Sequence, residues 1–457
     1  MCGVFGIYPH PKAAYLTCLG LYALQHRGEE SCGIISRNTK KIHLHKALGL
    51  VSDVFNEKIL RTLRGELAVG HVRYSTTGST NLKNIQPFYV KTKIGEIAIA
   101  HNGNITNTLQ LHNELEDKGA LFQTTMDSEI IAHLLAHSHQ NDIKEAVVWA
   151  LAKLQGAYSL VLMVNDMLVG ARDSYGFRPL CLGKLDDAYV LASETCALDL
   201  IGAKYIRDIQ PGEIVFIGRE RLSSIRPFES RKQRAFCIFE YIYFARPDSN
   251  IFGHNVYMAR KKLGCQLAIE FPVKADMVMP VPDSGTSAAL GFAQTSKIPF
   301  EYGLIRNHYI GRTFIQPTQD LRDFRVRVKL NPLKELLKGK RIVVIEDSIV
   351  RGTTSKMRLK ALRACGVKAI HMRVSCPPIR FPCFYGIDFP TKRELIASNY
   401  SISRICDFIG ADSLEYLSLE GLLKSMPLPK ENFCTACFTG RYLVKSPCRI
   451  SKTVLEK

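Results

Sequence analysis

The chain has 457 residues, 46% of them hydrophobic and 23% charged, which excludes collagen, coiled coil and extended disorder and predicts two or three domains at ~150 residues each. Lys and Arg number 61 against 42 Asp and Glu, a net charge of +19. The basic residues are spread along the whole chain without a zinc finger, RNP aromatic motif or basic helix, so an anionic small substrate, or simply a basic surface, accounts for them better than nucleic acid does.

Residues 1 to about 232 are rich in short apolar runs: Ile97–Ala100, Ser159–Val164, Tyr189–Ala192 and Ile214–Ile217. Helix candidates at Pro11–Gln25 and Asp127–His137 separate them, giving an α+β layered fold. Arg219–Arg234 is polar and basic and reads as a linker. Beyond it the rhythm alternates. Tyr257–Ile269, Gly285–Ala293 and Ser355–Ala364 have helical spacing, and Ala275–Val281, Lys340–Ile345 and Ala369–Val374 are buried-strand runs. Alternating β and α predicts a parallel sheet covered by helices. No apolar run reaches the ~18 residues of a membrane span. The start of the chain lacks the marks of a secretory signal or transit peptide, so a cytoplasmic protein with no membrane partner is expected.

Met1-Cys2-Gly3 leads directly into Val4-Phe5-Gly6-Ile7. Trimming of Met1 would give Cys2 a free α-amine, with a reference pKa of about 8, able to serve as base to its own thiol. A Cys at position 2 is by itself equally an accident of the start. Its companions are His71-Val72-Arg73-Tyr74-Ser75-Thr76-Thr77-Gly78, after a turn expected at Gly70, and His101-Asn102-Gly103-Asn104-Ile105. Acyl transfer to a thiolate needs oxyanion donors, which the Asn102 amide and the Gly103 N–H can supply. A glutamine substrate needs a cation for its carboxylate and an anion for its amine; Arg73 and Asp127 are such a pair.

The segments MCGVFGIY, QHRGEES, GHVRYSTTG, HNGNITN and RDSYGFRPL, in this order between Cys2 and about Glu213, resemble the class II glutamine amidotransferase domain of the N-terminal-nucleophile hydrolases. The resemblance implies an αββα sandwich over residues 2–232 with Cys2 as nucleophile. By it Asn102 and Gly103 form the oxyanion hole, Arg73 and Asp127 hold glutamine, and Arg27 and Gly28 line the pocket. Glu29 stands where the family pattern has Gln, a side chain without a required catalytic role there.

Arg341–Ile345 is a strand that ends in Glu346-Asp347, followed by Ser348-Ile349-Val350-Arg351-Gly352-Thr353-Thr354 and a helix. Acids at a strand's carboxyl end sit in the crevice where open α/β sheets bind ligands. The Gly/Thr loop can present N–H groups and hydroxyls to a phosphate; a capped helix start with exposed acids is the plainer reading. The segment resembles the phosphoribosyl pyrophosphate (PRPP) motif of type I phosphoribosyltransferases. That implies a parallel-sheet domain over residues 233–457, with Glu346 and Asp347 on the ribose hydroxyls and Arg351, Gly352, Thr353 and Thr354 around the 5-phosphate. Glu346 stands where glutamine-dependent members usually have Asp. Met279–Thr286 resembles the pyrophosphate loop, and Ser284 joins Glu346 and Asp347 as an expected Mg²⁺ ligand. The basic run through Arg312, Arg322, Arg325, Arg327 and Lys329 is expected as a lid over the leaving pyrophosphate, or else as a solvated surface.

The 14 Cys are expected to be thiols rather than a disulfide framework. Most, such as Cys18, Cys196 and Cys265, are expected as small buried apolar residues. Cys434-Thr-Ala-Cys437 alone is ambiguous between a redox pair, half a zinc site and an iron–sulfur site. With the two halves in this order the chain resembles the glutamine-dependent phosphoribosyltransferases. The segments around Cys237 and Cys383 resemble the further ligand segments of their iron–sulfur subgroup, implying a [4Fe–4S] cluster on Cys237, Cys383, Cys434 and Cys437; zinc is the alternative. The resemblance implies transfer of glutamine's ammonia to C1 of PRPP, giving 5-phosphoribosylamine, glutamate and pyrophosphate, the first committed step of purine synthesis. It also implies purine nucleotides as feedback inhibitors and a homotetramer or homodimer. A non-catalytic paralogue that binds PRPP or nucleotides is the rival reading; its mark would be loss of Cys2, Arg73, Asp347 or the Arg351–Thr354 loop, and all are present.

Overall fold

The computed structural model describes residues 1–39, 41–75, 78–219, 222–228, 233–307, 330–388, 391–444 and 455–456. The first half is built on two sheets laid face to face. One has seven strands in the spatial order Lys204–Asp208, Cys181–Leu185, Ala188–Ala192, Gly3–Tyr8, Leu67–Arg73, Ser31–Arg37 and Ile42–Leu48. The other has six, in the order Leu222–Ile225, Ile214–Ile217, Met167–Arg172, Gly156–Val164, Gly95–Ile105 and Phe88–Thr92. Alternate side chains leave a strand on opposite faces. Along Gly3–Tyr8, Val4 therefore enters the inter-sheet core with Val69, Ala98, Val161 and Leu191, while Phe5 and Ile7 point outward under the helix Ala13–Ala23. Helices Thr108–Glu116, Ser128–His137 and Ile143–Ala152 cover the other sheet. The layers are αββα, and burial on both faces is why the central strands are continuous apolar runs.

Gly70 lies within the strand Leu67–Arg73 rather than in the expected turn. A Cβ there would meet Thr17 at 2.5 Å and Leu21 at 2.9 Å, so the glycine serves helix-on-sheet packing. The expected linker also differs: Leu222–Ile225 pairs with Ile214–Ile217 as an edge strand, and the boundary drawn at residue 232 falls outside the described residues.

The second half has a four-stranded parallel sheet in the order Met277–Pro280, Arg341–Glu346, Ala369–Val374 and Ser413–Tyr416. The last strand is too short and mixed to be read from its residues. Helices Val256–Glu270 and Thr286–Ser296 approach closely because Gly264 and Gly291 face each other's backbones, where a Cβ would lie 1.8 and 2.0 Å from a carbonyl oxygen. Of the cysteines expected to be buried, Cys196 is, while Cys18 and Cys265 are half-buried. No helix among the described residues is long and apolar enough to cross a membrane.

Candidate active sites

Gly3 pairs with Val72, so Cys2 emerges beside the end of the strand Leu67–Arg73. The Cys2 thiol donates to the Tyr74 carbonyl at 3.5 Å and is buried; burial raises its pKa, partly offset by the adjacent ammonium. The chain described retains Met1, also buried. Burial lowers its α-amine to about 5, with Arg27 and Arg178 acting the same way and Cys2 opposing.

Asn102, on the strand Gly95–Ile105, is 0% exposed, yet its side-chain nitrogen and oxygen have no hydrogen-bond partner among the described residues. Buried amides are normally paired, and this one is left for something else to satisfy. A Cβ at Gly103 would meet the Ala157 carbonyl oxygen at 2.0 Å. His71 bonds the His101 carbonyl at 3.1 Å, tying the Arg73 strand to the Asn102 strand. Asp127 accepts from the Ile105 N–H at 3.0 Å and lies 3.6 Å from His101. Burial opposes ionisation of Asp127, but His101 and these hydrogen bonds outweigh it and hold the carboxyl below its ordinary value. Arg73 is buried, bonds the Gly78 and Ser79 carbonyls at 3.2 Å and stands 3.9 Å from Glu30. Glu30 in turn accepts from Ser75 and Thr80, fixing that loop. Gly28 is backed by the Arg73 main chain, which a Cβ would meet at 2.5 Å.

Arg27, expected to line the pocket with Gly28, stands beside this site with its side chain buried. Its Nε donates to the Cys2 carbonyl at 2.9 Å, and its terminal nitrogens are held by Glu194 and Glu240. Glu240 also pairs with Arg178 at 3.4 Å, and Arg178 reaches the Tyr385 carbonyl at 2.9 Å. Glu194, Glu240 and Arg178 were not singled out from the sequence. Arg178 lies in a recognisable motif, but nothing local marks the glutamates, whose partners are remote in the chain.

The transferase candidates gather at the carboxyl end of the parallel sheet. Ile345 pairs with Pro280, which brings the loops after both strands together: Ser284 Oγ donates to Asp347 at 2.5 Å, and so does Ser348 Oγ. The loop closes at Gly352, φ +75°, and the helix Thr353–Arg363 begins with Thr353 and Thr354 exposed and no side-chain cap. Arg351 is turned to Glu394, at 2.6 Å. Glu346 is not brought into the Ser284–Asp347 group; it accepts from Ser355 Oγ at 2.9 Å and pairs with Arg358. Ser284 and Asp347 are adjacent hard oxygen donors of the kind that suits Mg²⁺, whereas the Glu346 charge is already met by a guanidinium. Arg312 and the rest of the expected lid, 308–329, lie outside the described residues. Tyr243, in the π-helical segment Glu240–Phe244, has its phenol pushed up to about 12, chiefly by burial and then by the charges of Asp347, Tyr74 and Glu29.

The four expected cluster ligands converge. Cys237 pairs in register with Cys434 in a two-residue parallel ladder. Cys237 and Cys437 lie in one buried cluster, Cys383 packs against it, and Cys383 Sγ accepts from the Tyr385 N–H at 3.3 Å. Burial raises the Cys237 thiol to about 11. Among the described residues no three His, Cys, Asp or Glu are set to hold a metal ion. A tetrahedral zinc, with Zn–S near ~2.3 Å, would need thiols within ~4 Å of one another. A cubane binds its four thiolates through separate iron atoms and so does not require the thiols to meet at one point.

An N-terminal-nucleophile sandwich continued by a parallel phosphoribosyltransferase sheet defines a two-domain glutamine amidotransferase. Residues 71–200 match the glutamine amidotransferase domain family. The amidophosphoribosyltransferase of Synechocystis is 51% identical, over 100% of this chain and 94% of its own; that of Bacillus subtilis is 48% identical, over 96% and 94%. A solved structure of glutamine PRPP amidotransferase from B. subtilis, complexed with ADP and GMP, is 46% identical with a TM-score of 0.93 over 99% of each chain. The chain belongs to the amidophosphoribosyltransferase family.

Proposed function

We propose that the protein hydrolyses glutamine at Cys2 and transfers the ammonia to C1 of PRPP, with residues 2–232 and 233–457 as its two halves. The observation that carries the glutaminase reading is the buried Asn102 amide, without a partner among the described residues, on the strand that His71 ties to the Arg73 strand. The Cys2 thiolate attacks the glutamine amide carbon, and the oxyanion receives hydrogen bonds from the Asn102 amide and the Gly103 N–H. The Cys2 α-amine, which took the thiol proton, returns it to the departing nitrogen; collapse expels ammonia and leaves a γ-glutamyl thioester, which water hydrolyses to glutamate. Arg73 and Asp127 hold the substrate's carboxylate and amine. At the second site ammonia forms the N–C1 bond as the C1–O bond to pyrophosphate breaks, giving 5-phosphoribosylamine. The Arg351–Thr354 loop holds the 5-phosphate, and Asp347 and Glu346 belong to the same site.

Ser284 and Asp347 would hold Mg²⁺, which supplies charge neutralisation to the leaving pyrophosphate. Cys237, Cys383, Cys434 and Cys437 would hold a [4Fe–4S] cluster in a structural role. Purine nucleotides as inhibitors are supported by the ADP and GMP bound to the B. subtilis relative, and a place in purine synthesis by a second relative of TM-score 0.93 described as an allosteric regulatory enzyme of purine biosynthesis. A cytoplasmic homotetramer or homodimer completes the reading. The test is PRPP-dependent glutamate formation with stoichiometric release of pyrophosphate; glutamate release without pyrophosphate would reduce the protein to a glutaminase.

A further inference from the structure

The loop after the strand Ala369–Val374 carries Cys383 and then lies against the other half of the chain. That half takes its carbonyls in turn. The Asn104 amide donates to the Phe384 carbonyl at 3.1 Å, and Arg178 Nε donates to the Tyr385 carbonyl at 2.9 Å. The Tyr385 ring stacks on Phe177 at 4.2 Å. Gly386 comes next, at φ +99°, and meets Gly103: a Cβ on it would stand 2.8 Å from the Gly103 carbonyl carbon and oxygen and 2.9 Å from the Gly103 Cα. A Cβ on Gly103 itself would stand 2.0 Å from the Ala157 carbonyl oxygen. The Gly103 main chain thus has two close backbone neighbours, Ala157 in its own sheet and Gly386 from the transferase half. The absence of both Cβ atoms is what lets them come so near.

We propose that Gly386 is a positioning residue for glutamine hydrolysis: its main chain backs Gly103 and sets where the Gly103 N–H stands when charge develops on the amide oxygen. The proposal rests on the reading of Asn102 and Gly103 as the oxyanion hole. Donors of that kind act through preorganisation, so they must be held within about 0.5 Å of the productive place. Asn102 is set by its own sheet, where it pairs with Ser159. The last residues of the strand are held from outside the sheet as well, Asn104 by its bond to the Phe384 carbonyl and Gly103 by contact with Gly386. The contact is main chain on main chain, so no change of rotamer relieves it. One of the two oxyanion donors therefore takes its place from the half that carries the Arg351–Thr354 loop.

The test is steady-state kinetics of the full chain with glutamine and with ammonia, beside thermal melts, on Gly386→Ala, Gly410→Ala and Asn102→Leu. Gly410, also in the transferase half, has φ +79° and nothing within 4 Å of where its Cβ would stand. Its alanine variant carries the same kind of backbone strain without touching anything. Gly386→Ala should lower glutamine kcat about ten-fold or more and leave glutamine KM within about three-fold, since Arg73 and Asp127 hold the ends of the substrate. Ammonia-dependent kcat should change by less than about two-fold. Gly410→Ala should lower the melting temperature similarly and leave both activities in place. Should Gly386→Ala fail to fold, Asn104→Ala, which releases the Phe384 carbonyl and adds no atom, should give the same split between the two activities, and absence of that split would overturn the proposal. So would an intact glutamine kcat in Gly386→Ala, parallel loss of both activities, or an equal glutamine loss in Gly410→Ala. Asn102→Leu separates the two levels of the argument. If it keeps its glutamine kcat, the oxyanion-hole reading falls and the role of Gly386 with it; if it loses kcat while Gly386→Ala does not, only the role of Gly386 falls.

Discussion

Arg27 and Glu240 are joined by two hydrogen bonds, of 2.9 and 3.0 Å, that cross from the glutaminase half to the transferase half. The same guanidinium holds the Cys2 carbonyl at 2.9 Å, so the main chain at Cys2 is fixed by Arg27, which Glu240 of the other half holds in turn. Glu240 lies three residues beyond Cys237, which links this brace in sequence to the cysteine pocket. The pair is fully buried and shares its charges with Glu194 and Arg178. Such a network resists removal of Glu240, because Arg27 would keep Glu194 alone and buried Arg178 would lose the carboxylate it pairs with here.

Glu240→Ala should therefore cost about 3–5 kcal/mol of stability. In the fraction that stays folded, glutaminase activity should fall further than ammonia-dependent synthesis, because the Arg27 contact to Cys2 is loosened. Thermal melts alongside the two assays check this; equal loss of both activities would remove the positioning role.

Asn102→Leu should separate stability from activity. The wild-type amide is buried without a partner among the described residues, a state that costs about 1–3 kcal/mol. An apolar side chain of similar size relieves that cost, so the melting temperature should hold or rise. Glutamine kcat should fall about 10²- to 10³-fold, with ammonia-dependent synthesis unchanged. A lower melting temperature with activity intact would mean that the amide is structural.

What local spacing made legible was placement: Cys2 precedes a strand, Arg73 ends one, Asn102-Gly103 lie near the end of another, Asp127 precedes a helix, and Glu346–Thr354 runs from a strand end into a helix. The strands buried on both faces, such as Gly156–Val164, were legible too. What escaped was long-range. Glu194 and Glu240 are ordinary glutamates until the fold brings Arg27 to both, and nothing near Glu346 in the sequence announces its pairing with Arg358. Gly70 looks like a turn because its reason, the helix above it, lies some fifty residues away. The edge strand Leu222–Ile225 has too little apolar pattern to show, since an edge buries little.

Cys2→Ala should abolish glutamine-dependent synthesis and leave synthesis from high ammonia, because the two chemistries occupy separate halves. A retained Met1 should act in the same direction, since it removes the Cys2 amine as a base and its own amine is buried. Mass spectrometry of active protein should therefore find Cys2 at the N-terminus; full activity with Met1 attached would rule the amine out as the base.

His71 should make the protein acid-sensitive. It is buried, its Nδ1 has no partner among the described residues, and burial lowers its pKa to about 3, below the unfolded value near ~6.5. The folded state holds the neutral ring, so the unfolded state takes up a proton first as pH falls. Stability is thus intact above ~6.5 and drains by up to ~1.4 kcal/mol per pH unit between ~6.5 and about 3. His71→Gln keeps a donor for the His101 carbonyl and cannot titrate. Denaturant melts at several pH values should find a flatter slope in the variant; an identical slope would assign the acid sensitivity elsewhere.

Cys237, Cys383, Cys434 and Cys437 come from the domain junction, the loop after the strand Ala369–Val374 and the C-terminal segment. A cluster on these four would bind distant segments as a crosslink does, a constraint of ~3–5 kcal/mol for long loops. Protein purified without oxygen should be brown and contain ~4 iron and ~4 sulfide per chain. Replacing any of the four by Ser should give colourless protein with a lower melting temperature, whereas Cys406→Ser, at a half-buried thiol outside the set, should keep its colour. Air should bleach and destabilise the wild type together. Unchanged iron after Cys434→Ser would mean that the ligands are misassigned. Stoichiometric zinc without sulfide would replace the cluster by a mononuclear site, and the thiols would then have to draw together from the positions they hold here.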